Sequence, residues 1–194
     1  MPWWTPLIRP AVSVTRAITT TGYPLWRRPV LRIGFDESLT YDVRLVRGYG
    51  GASGRFCHFI VYNEGRPGRA PARNARARLM SVASLTAFGE PRPAAGFVAP
   101  RTLKWANEPD LSPRDIEPDV PRRADLCYAI QGDPNVTFFA GPAGVGVQTV
   151  FPPGHYRVRV RVDADNALPT EAVFDVIHTG DWAAITVQPR PDWN

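Results

Sequence analysis

Hydrophobic and polar residues alternate over residues 156–162, the most regular pattern in the chain. Because successive side chains of a β-strand point to opposite faces, a period of two separates a buried face from a solvent face. The pattern therefore predicts a strand that buries its aromatic and aliphatic residues and exposes its arginines. The residues predicted to be buried are Tyr156, Val158, Val160 and Val162, and those predicted to be exposed are Arg157, Arg159 and Arg161.

Other short segments that are rich in β-branched and aromatic residues, and are bounded by Gly, Pro and Asn, predict further strands. They cover residues 30–35, 55–62, 74–82, 102–106, 124–130, 136–139, 171–177 and 182–187. Residues 63–73, 88–101, 107–123 and 163–169 are expected to be loops. Many short strands with no helical period between them predict an all-β, immunoglobulin-like antiparallel β-sandwich over residues 29–194.

Residues 1–28 follow a different pattern and are predicted to form an N-terminal arm, possibly with an amphipathic helix. Leu7, Ala11, Val14 and Ile18 would share one helical stripe, and Gly22 would help to end it. Aromatic and basic residues flank this stripe, as in segments that contact a membrane interface or a partner. The residues predicted to make an outside contact are Trp3, Trp4, Tyr23, Trp26, Arg27 and Arg28.

The composition of the 194 residues narrows the classes of function. The apolar share of 44% is that of a globular protein. The net charge of +5 comes from arginines and a single lysine, Lys104, scattered among acidic residues, so we do not expect a nucleic-acid partner. The sequence has no clear signal peptide and no apolar run long enough for a transmembrane helix, which favours a cytoplasmic or membrane-peripheral location.

Three pieces of the sequence resemble uncharacterised bacterial proteins in which an N-terminal anchor precedes an immunoglobulin-like, cell-adhesion-related sandwich. They are residues 23–37, the pair of segments 62–65 and 72–75, and the strand 156–160 with residues 165–167. The resemblance implies a sandwich fold and a surface location, and it implies no catalytic residue. The sequence departs from the family at its N-terminus, which is too polar and too rich in proline to span a membrane.

Candidate catalytic residues are few. Cys57 and His58 are adjacent, so on a strand their side chains face opposite ways and cannot form a nucleophile–base pair. A cluster of Cys57 or Cys127 with a histidine and a carboxylate would be needed for a cysteine hydrolase. Both cysteines are expected to be free buried thiols, and a single bridge across the sandwich is the alternative.

No cofactor or metal is expected. The histidines His58, His155 and His178 lack ligand spacing. Residues 163–166 place oxygen donors at alternate positions as a calcium loop does, but the glycine and glutamate of such a loop are missing, so a plain turn is favoured. The glycine-rich segment 141–146 lacks the lysine of a phosphate-binding loop.

Five arginines could lie close together on one face of the sheet, where their positive charges would repel one another. Arg157, Arg159 and Arg161 would line one strand face, and Arg76 and Arg78 would line another that could be its neighbour. The favoured solution is a ladder of salt bridges to Glu171 and Asp175 on the next strand. The alternative is an anionic partner.

These observations lead to three functional hypotheses. The first is a non-enzymatic binding or structural module that acts through contacts with another protein or with itself, the arm mediating assembly. The second is a peripheral membrane protein whose N-terminal helix lies in the interface. The third is an unrecognised hydrolase.

Overall fold

The computed structural model describes residues 27–35, 41–45, 52–65, 68–97, 100–108, 110–138 and 150–190, without the side chains of 41–45. These residues form thirteen strands and, between the last two, the short 3-10 turn Trp182–Ala184. No α-helix occurs within the described ranges. The strands are β1 (Leu31–Gly34), β2 (Tyr41–Leu45), β3 (Ser53–Asn63), β4 (Ala72–Leu85), β5 (Pro91–Pro93), β6 (Arg101–Thr102), β7 (Arg114–Ile116), β8 (Arg122–Ile130), β9 (Val136–Phe138), β10 (Val150–Phe151), β11 (Gly154–Ala164), β12 (Ala167–His178) and β13 (Thr186–Pro189).

The strands make two antiparallel sheets that pack face to face, so the predicted all-β sandwich architecture is confirmed. The first sheet has the order β1-β3-β8-β9-β10, with β2 also paired to β3. The second sheet has the order β13-β12-β11-β4-β5, with β6 and β7 also paired to β4. Between β6 and β8 the chain passes along both sheets, since Trp105 forms a bridge with Ala124 of β8 and β7 then pairs with β4.

The core lies between the two inner faces. Phe59 of the first sheet packs against Phe174 of the second, with ring centroids 6.0 Å apart. The structure confirms the prediction made from the alternating pattern of β11. The buried residues are Tyr156, Val158, Val160 and Val162. The arginines between them are half-buried rather than exposed, because neighbouring strands on both sides crowd their stems.

A β-bulge changes the phase of β4, which the sequence suggested would alternate without a break. Arg159 lies opposite Ser81 but Val160 lies opposite Leu79, so Met80 is the extra residue. Without this bulge the second half of β4 would turn its apolar residues to the outer face. The bulge therefore keeps both Leu79 and Val82 in the core.

Several predicted boundaries were wrong. The short strands β5 and β7 lie in segments that were expected to be loops, and β2 and β10 lie in segments for which no strand was predicted. Residues 163–169 are a tight hairpin with only Asp165 and Asn166 between β11 and β12, not a long loop. Residues 182–184 form a 3-10 turn, because the side chain of Asp181 caps it by accepting a hydrogen bond from the backbone of Ala183.

Buried asparagines hold the loops to the sheets. Asn63, at the end of β3, accepts a hydrogen bond from the backbone N–H of Val30 and donates to the carbonyls of Ala70 and Ile116. Beside it, a side chain at Gly65 would clash with Asp119. Residues 62–65 therefore have a structural role, because Asn63 supplies hydrogen-bond partners that buried backbone groups need.

Most of the predicted N-terminal arm, residues 1–26, lies outside the described residues. The described residues begin at Arg27, whose carbonyl accepts a hydrogen bond from the backbone N–H of Ala70 at 2.9 Å. Within the described ranges, no helix has the length and apolarity needed to cross a bilayer.

Candidate interaction surface

The outer face of the second sheet is charged, and its charges are paired within the sheet. Arg157 lies directly opposite Asp175 and donates two hydrogen bonds to it, at 2.8 and 3.1 Å. This pairing raises the pKa of the Arg157 guanidinium. Arg190 and His155 also approach Asp175, at 3.8 and 3.7 Å. The carboxylate of Asp175 is therefore approached by two arginines and a histidine.

A second group of pairs lies at the other end of this face. Arg161 contacts Asp163 at 2.6 Å and Glu171 at 3.7 Å, while Arg78 contacts Asp163 at 3.1 Å. The predicted ladder is thus present, and Asp163 is an additional member. It separates Arg78 from Arg161, which lie directly opposite each other and would otherwise repel.

One valine is buried on this charged face. Val173 shares the outward phase of β12 with Glu171 and Asp175, yet it is only 4% exposed. Arg159 lies opposite it on β11, and the backbone N–H of Arg190 bonds its carbonyl on the other side. Because arginine stems can cover apolar surface, the stem of Arg159 is well placed to shield Val173 from solvent.

The outer face of the first sheet has a different composition. Phe56 of β3 stacks on Tyr128 of β8, with ring centroids 5.4 Å apart. Ile60 lies four residues after Phe56 on the same face of β3, and Tyr62, which is 38% exposed, lies two residues after Ile60. On the far side of the sheet, Val150 of β10 is 39% exposed. These aromatic and aliphatic side chains share the face with Arg123, which lies opposite Ile60, and with Arg32, which lies opposite Tyr62.

A buried histidine–aspartate pair lies in the middle of this face. His58 is opposite Asp125, and the imidazole Nε2 is 2.9 Å from the carboxylate oxygen Oδ1. The two side chains are 1% and 7% exposed. Removing either member would leave the other buried without this partner, a costly arrangement, so the pair requires both residues.

The cysteines face the other way. Cys57 and Cys127 lie directly opposite each other on β3 and β8, and both are fully buried in the core between the sheets. His58, the next residue after Cys57, projects from the opposite face. The structure thus brings a histidine to a carboxylate and a thiol to a thiol. It does not bring either thiol to the His58–Asp125 pair, so the cluster required for a cysteine hydrolase is not formed by these residues.

In the turn 163–166, which resembles the start of a calcium loop, the oxygen atoms contact other groups of the protein. Asp163 is paired with arginines, Asp165 accepts a hydrogen bond from the side-chain amide of Asn74, and Asn166 bonds the backbone of Arg73 and Pro71. Among the described residues no three His, Cys, Asp or Glu side chains are grouped as metal ligands. These oxygens therefore connect the hairpin between β11 and β12 to the start of β4.

A small polar cleft lies beside β8. Its volume is about 190 Å³, and Trp105, Asn107, Arg122 and Arg123 contribute to its walls. Arg122 is already engaged, by the backbone carbonyl of Asp115 and by Glu108. The cleft is smaller than the 300–1,000 Å³ of ordinary small-molecule sites, so it is not the main candidate.

The predicted interaction residues are only partly covered by the structure. Trp3, Trp4, Tyr23 and Trp26 lie outside the described residues. Arg27 is exposed and Arg28 is half-buried, both at the approach to β1. The sequence analysis did not identify the outer face of the first sheet. The signal was present, because 56–62 contains apolar residues in both phases, as expected for a strand with two covered faces.

Comparison with known proteins adds no assignment: no protein-family model matches the sequence, and no curated protein is similar to it.

Proposed function

We propose that this protein is a non-enzymatic, immunoglobulin-like binding or structural module that assembles with copies of itself through its N-terminal arm. The receiving surface is the outer face of the first sheet. One observation carries the proposal: this face presents Phe56, Tyr128, Ile60 and Tyr62, whereas the outer face of the second sheet is covered by paired charges. Contiguous apolar patches on a protein surface mark interaction sites.

The strand order supports the immunoglobulin-like part of the proposal. In such folds, strands A, B and E are neighbours in one sheet and strands C, F and G in the other. Here β1-β3-β8 and β4-β11-β12 have these relations in the same chain order. The segment around Trp105, which pairs with β8, occupies the place of strand D.

A tyrosine at the start of β11 supports the same assignment. The hydroxyl of Tyr156 donates a hydrogen bond to the carbonyl of Pro152 at 2.6 Å, four residues earlier. Immunoglobulin-like domains have a tyrosine near the start of strand F whose hydroxyl bonds the backbone a few residues upstream. Burial of this phenol raises its pKa, which keeps the hydroxyl protonated as a donor.

The place where the arm enters supports its role as the occupant. Arg27 is tied to Ala70 and leads into β1, at the side of the first sheet where Tyr62 lies opposite Arg32. The 26 residues before it include Trp3, Trp4 and Trp26. Large aromatic side chains are the residues that most often supply binding energy at protein interfaces. The arm and the apolar face thus have matching chemistry and a common origin at one edge of the sandwich.

The test compares the molar mass in solution of the full-length protein and of three variants, measured by light scattering over a range of concentrations. We expect Ile60→Glu and a deletion of residues 1–26 each to abolish assembly. The new carboxylate of Ile60→Glu would lie opposite Arg123, so the domain should keep its fold. The deletion preserves the hydrogen bond between Arg27 and Ala70, and the melting temperature should stay within a few degrees.

The matched control is Ser81→Glu, which places the same charge opposite Arg159 on the outer face of the second sheet. It should assemble as the native protein does. A full-length protein that is monomeric at all concentrations, or an Ile60→Glu variant that assembles normally, contradicts the proposal. Arm-dependent flotation with anionic vesicles, without self-assembly, supports the peripheral membrane alternative instead.

A further inference from the structure

We propose that Cys57 and Cys127 are a disulfide-forming pair, and that the chain closes this bond when it folds in the presence of a small-molecule disulfide such as oxidised glutathione. The structure contains the reduced form, in which both thiols are free. The sequence suggested a bridge across the sandwich as an alternative to free thiols. The structure places the pair within one sheet instead.

The register of β3 and β8 carries the inference. Cys57 and Cys127 are exact cross-strand partners in an antiparallel pair. Directly opposed residues have Cα atoms about 4.5–5.5 Å apart, and a disulfide needs about 4.4–6.8 Å. Both side chains project into the core, so the two sulfur atoms point the same way. These are the only cysteines among the 194 residues.

The contact between the thiols is direct. Burial is the largest cause that raises the pKa of Cys127, and a hydrogen bond with Cys57 adds to it. A β-bulge follows immediately, since His58 pairs with Asp125 and Leu126 is the extra residue. The bulge interrupts the ladder beside the pair, so a small approach of the two sulfur atoms requires little change in the rest of the sheet.

The reaction is ordinary thiol–disulfide exchange. One protein thiolate attacks the small disulfide and releases one small thiol, which leaves a mixed disulfide on the protein. The second cysteine then attacks the protein sulfur of that mixed disulfide and releases the second small thiol. The protein loses two hydrogens in total, and the small disulfide gains them as two thiols.

Burial determines when this reaction can occur. Neither cysteine is exposed to solvent, and a raised pKa leaves little of the reactive thiolate. The folded, reduced protein should therefore react slowly. The bond should form during folding, while β3 and β8 are still accessible, and should afterwards be shielded from reductants.

The experiment refolds the full-length protein from denaturant in a mixture of reduced and oxidised glutathione and, in parallel, with excess reductant. Both samples are then unfolded, alkylated without reductant, and weighed by intact mass spectrometry. We expect the glutathione sample to be two hydrogens lighter and to accept no alkyl group. We expect the reduced sample to accept two. The bridge joins residues seventy positions apart and should raise the melting temperature by roughly 5–15 °C, chiefly by restricting the unfolded chain.

Cys57→Ala and Cys127→Ala are the controls. Neither variant can form the intramolecular bond, and neither should gain thermal stability from the glutathione mixture. The measurement on the native protein does not depend on their folding. Two alkylated cysteines after refolding with glutathione, a mixed disulfide that persists at one cysteine, a bond between two chains, or a bridged form that melts at a lower temperature would each overturn the proposal. None of these outcomes depends on whether the arm mediates assembly.

Discussion

The outer faces of the two sheets differ in what covers them. On the second sheet, arginines from β11 pair with Asp175 and Glu171 of β12, and Val173 between these two acids is buried. On the first sheet, Phe56, Tyr128 and Ile60 occupy the corresponding positions around a single buried His–Asp pair. The charges of the second face are paired within the sheet, while the first face has the apolar area that we propose the arm covers.

This difference shows that burial on an outer face can arise in two ways. Asp175 and Asp125 are nearly equally buried, at 5% each. Asp175 is surrounded by arginines that also reach solvent, whereas Asp125 faces one buried imidazole. The second arrangement has less capacity to adjust when one member is lost. Substitutions that test the two faces should therefore have very different costs.

The largest expected loss of stability comes from a charge placed in the core between the two sheets. Val160→Asp places a carboxylate between the sheets and should lower the free energy of unfolding by about 4–5 kcal/mol or more. Because a domain of this size has a total stability of about 5–15 kcal/mol, much of the variant should be unfolded. Chemical denaturation followed by tryptophan fluorescence measures the change.

The control for Val160→Asp is Ser81→Asp, on the outer face of the neighbouring strand opposite Arg159. It should change the free energy of unfolding by no more than about 0.5 kcal/mol. Equal stability of Val160→Asp and the native protein would show that the inner and outer phases of β11 had been assigned incorrectly.

The next effect compares the two buried carboxylates directly. Asp125→Ala removes the carboxylate that lies against the buried imidazole of His58 and should cost about 2–4 kcal/mol. Asp175→Ala should cost only about 1–2 kcal/mol, since the side chain of Arg157 is 21% exposed and can turn to solvent. Equal losses in urea denaturation would mean that the two faces do not differ in the way proposed here.

The smallest effect concerns a carboxylate near the rim of the second sheet. The backbone N–H of Asn74, and then Arg73, lower the pKa of Asp115. A carboxyl group with a lower pKa in the folded state stabilises the protein above its unfolded pKa, and this contribution disappears as the pH falls through the folded pKa. Asp115→Asn should therefore cost roughly 0.2–1 kcal/mol at neutral pH.

Urea denaturation of the native protein and of Asp115→Asn at a series of pH values tests this dependence. The two free energies of unfolding should converge in acid. A difference that stays constant, or that grows as the pH falls, would contradict the cause assigned to the lowered pKa.

The sequence predicted the long strands much better than the short ones. In β11 the alternation of valine and arginine identified the buried residues, because a period of two separates the inner face from the outer face within a single strand. The strands β5 and β7 consist of three residues each, among prolines and charged side chains. They exist because the edge of the long strand β4 offers them hydrogen-bond partners, and a local pattern cannot reveal a partner that is distant in sequence.

The sequence by itself determined the all-β class, the inner face of β11, and the presence of acidic residues able to pair with its arginines. Only the tertiary structure decided which side chains meet. Cys57 lies opposite Cys127, and His58 opposite Asp125, because the inner faces of both sheets must pack and two bulges correct the phase of the strands. A shift of one residue would exchange the faces, and the packing of the whole core, rather than the local sequence, excludes that shift.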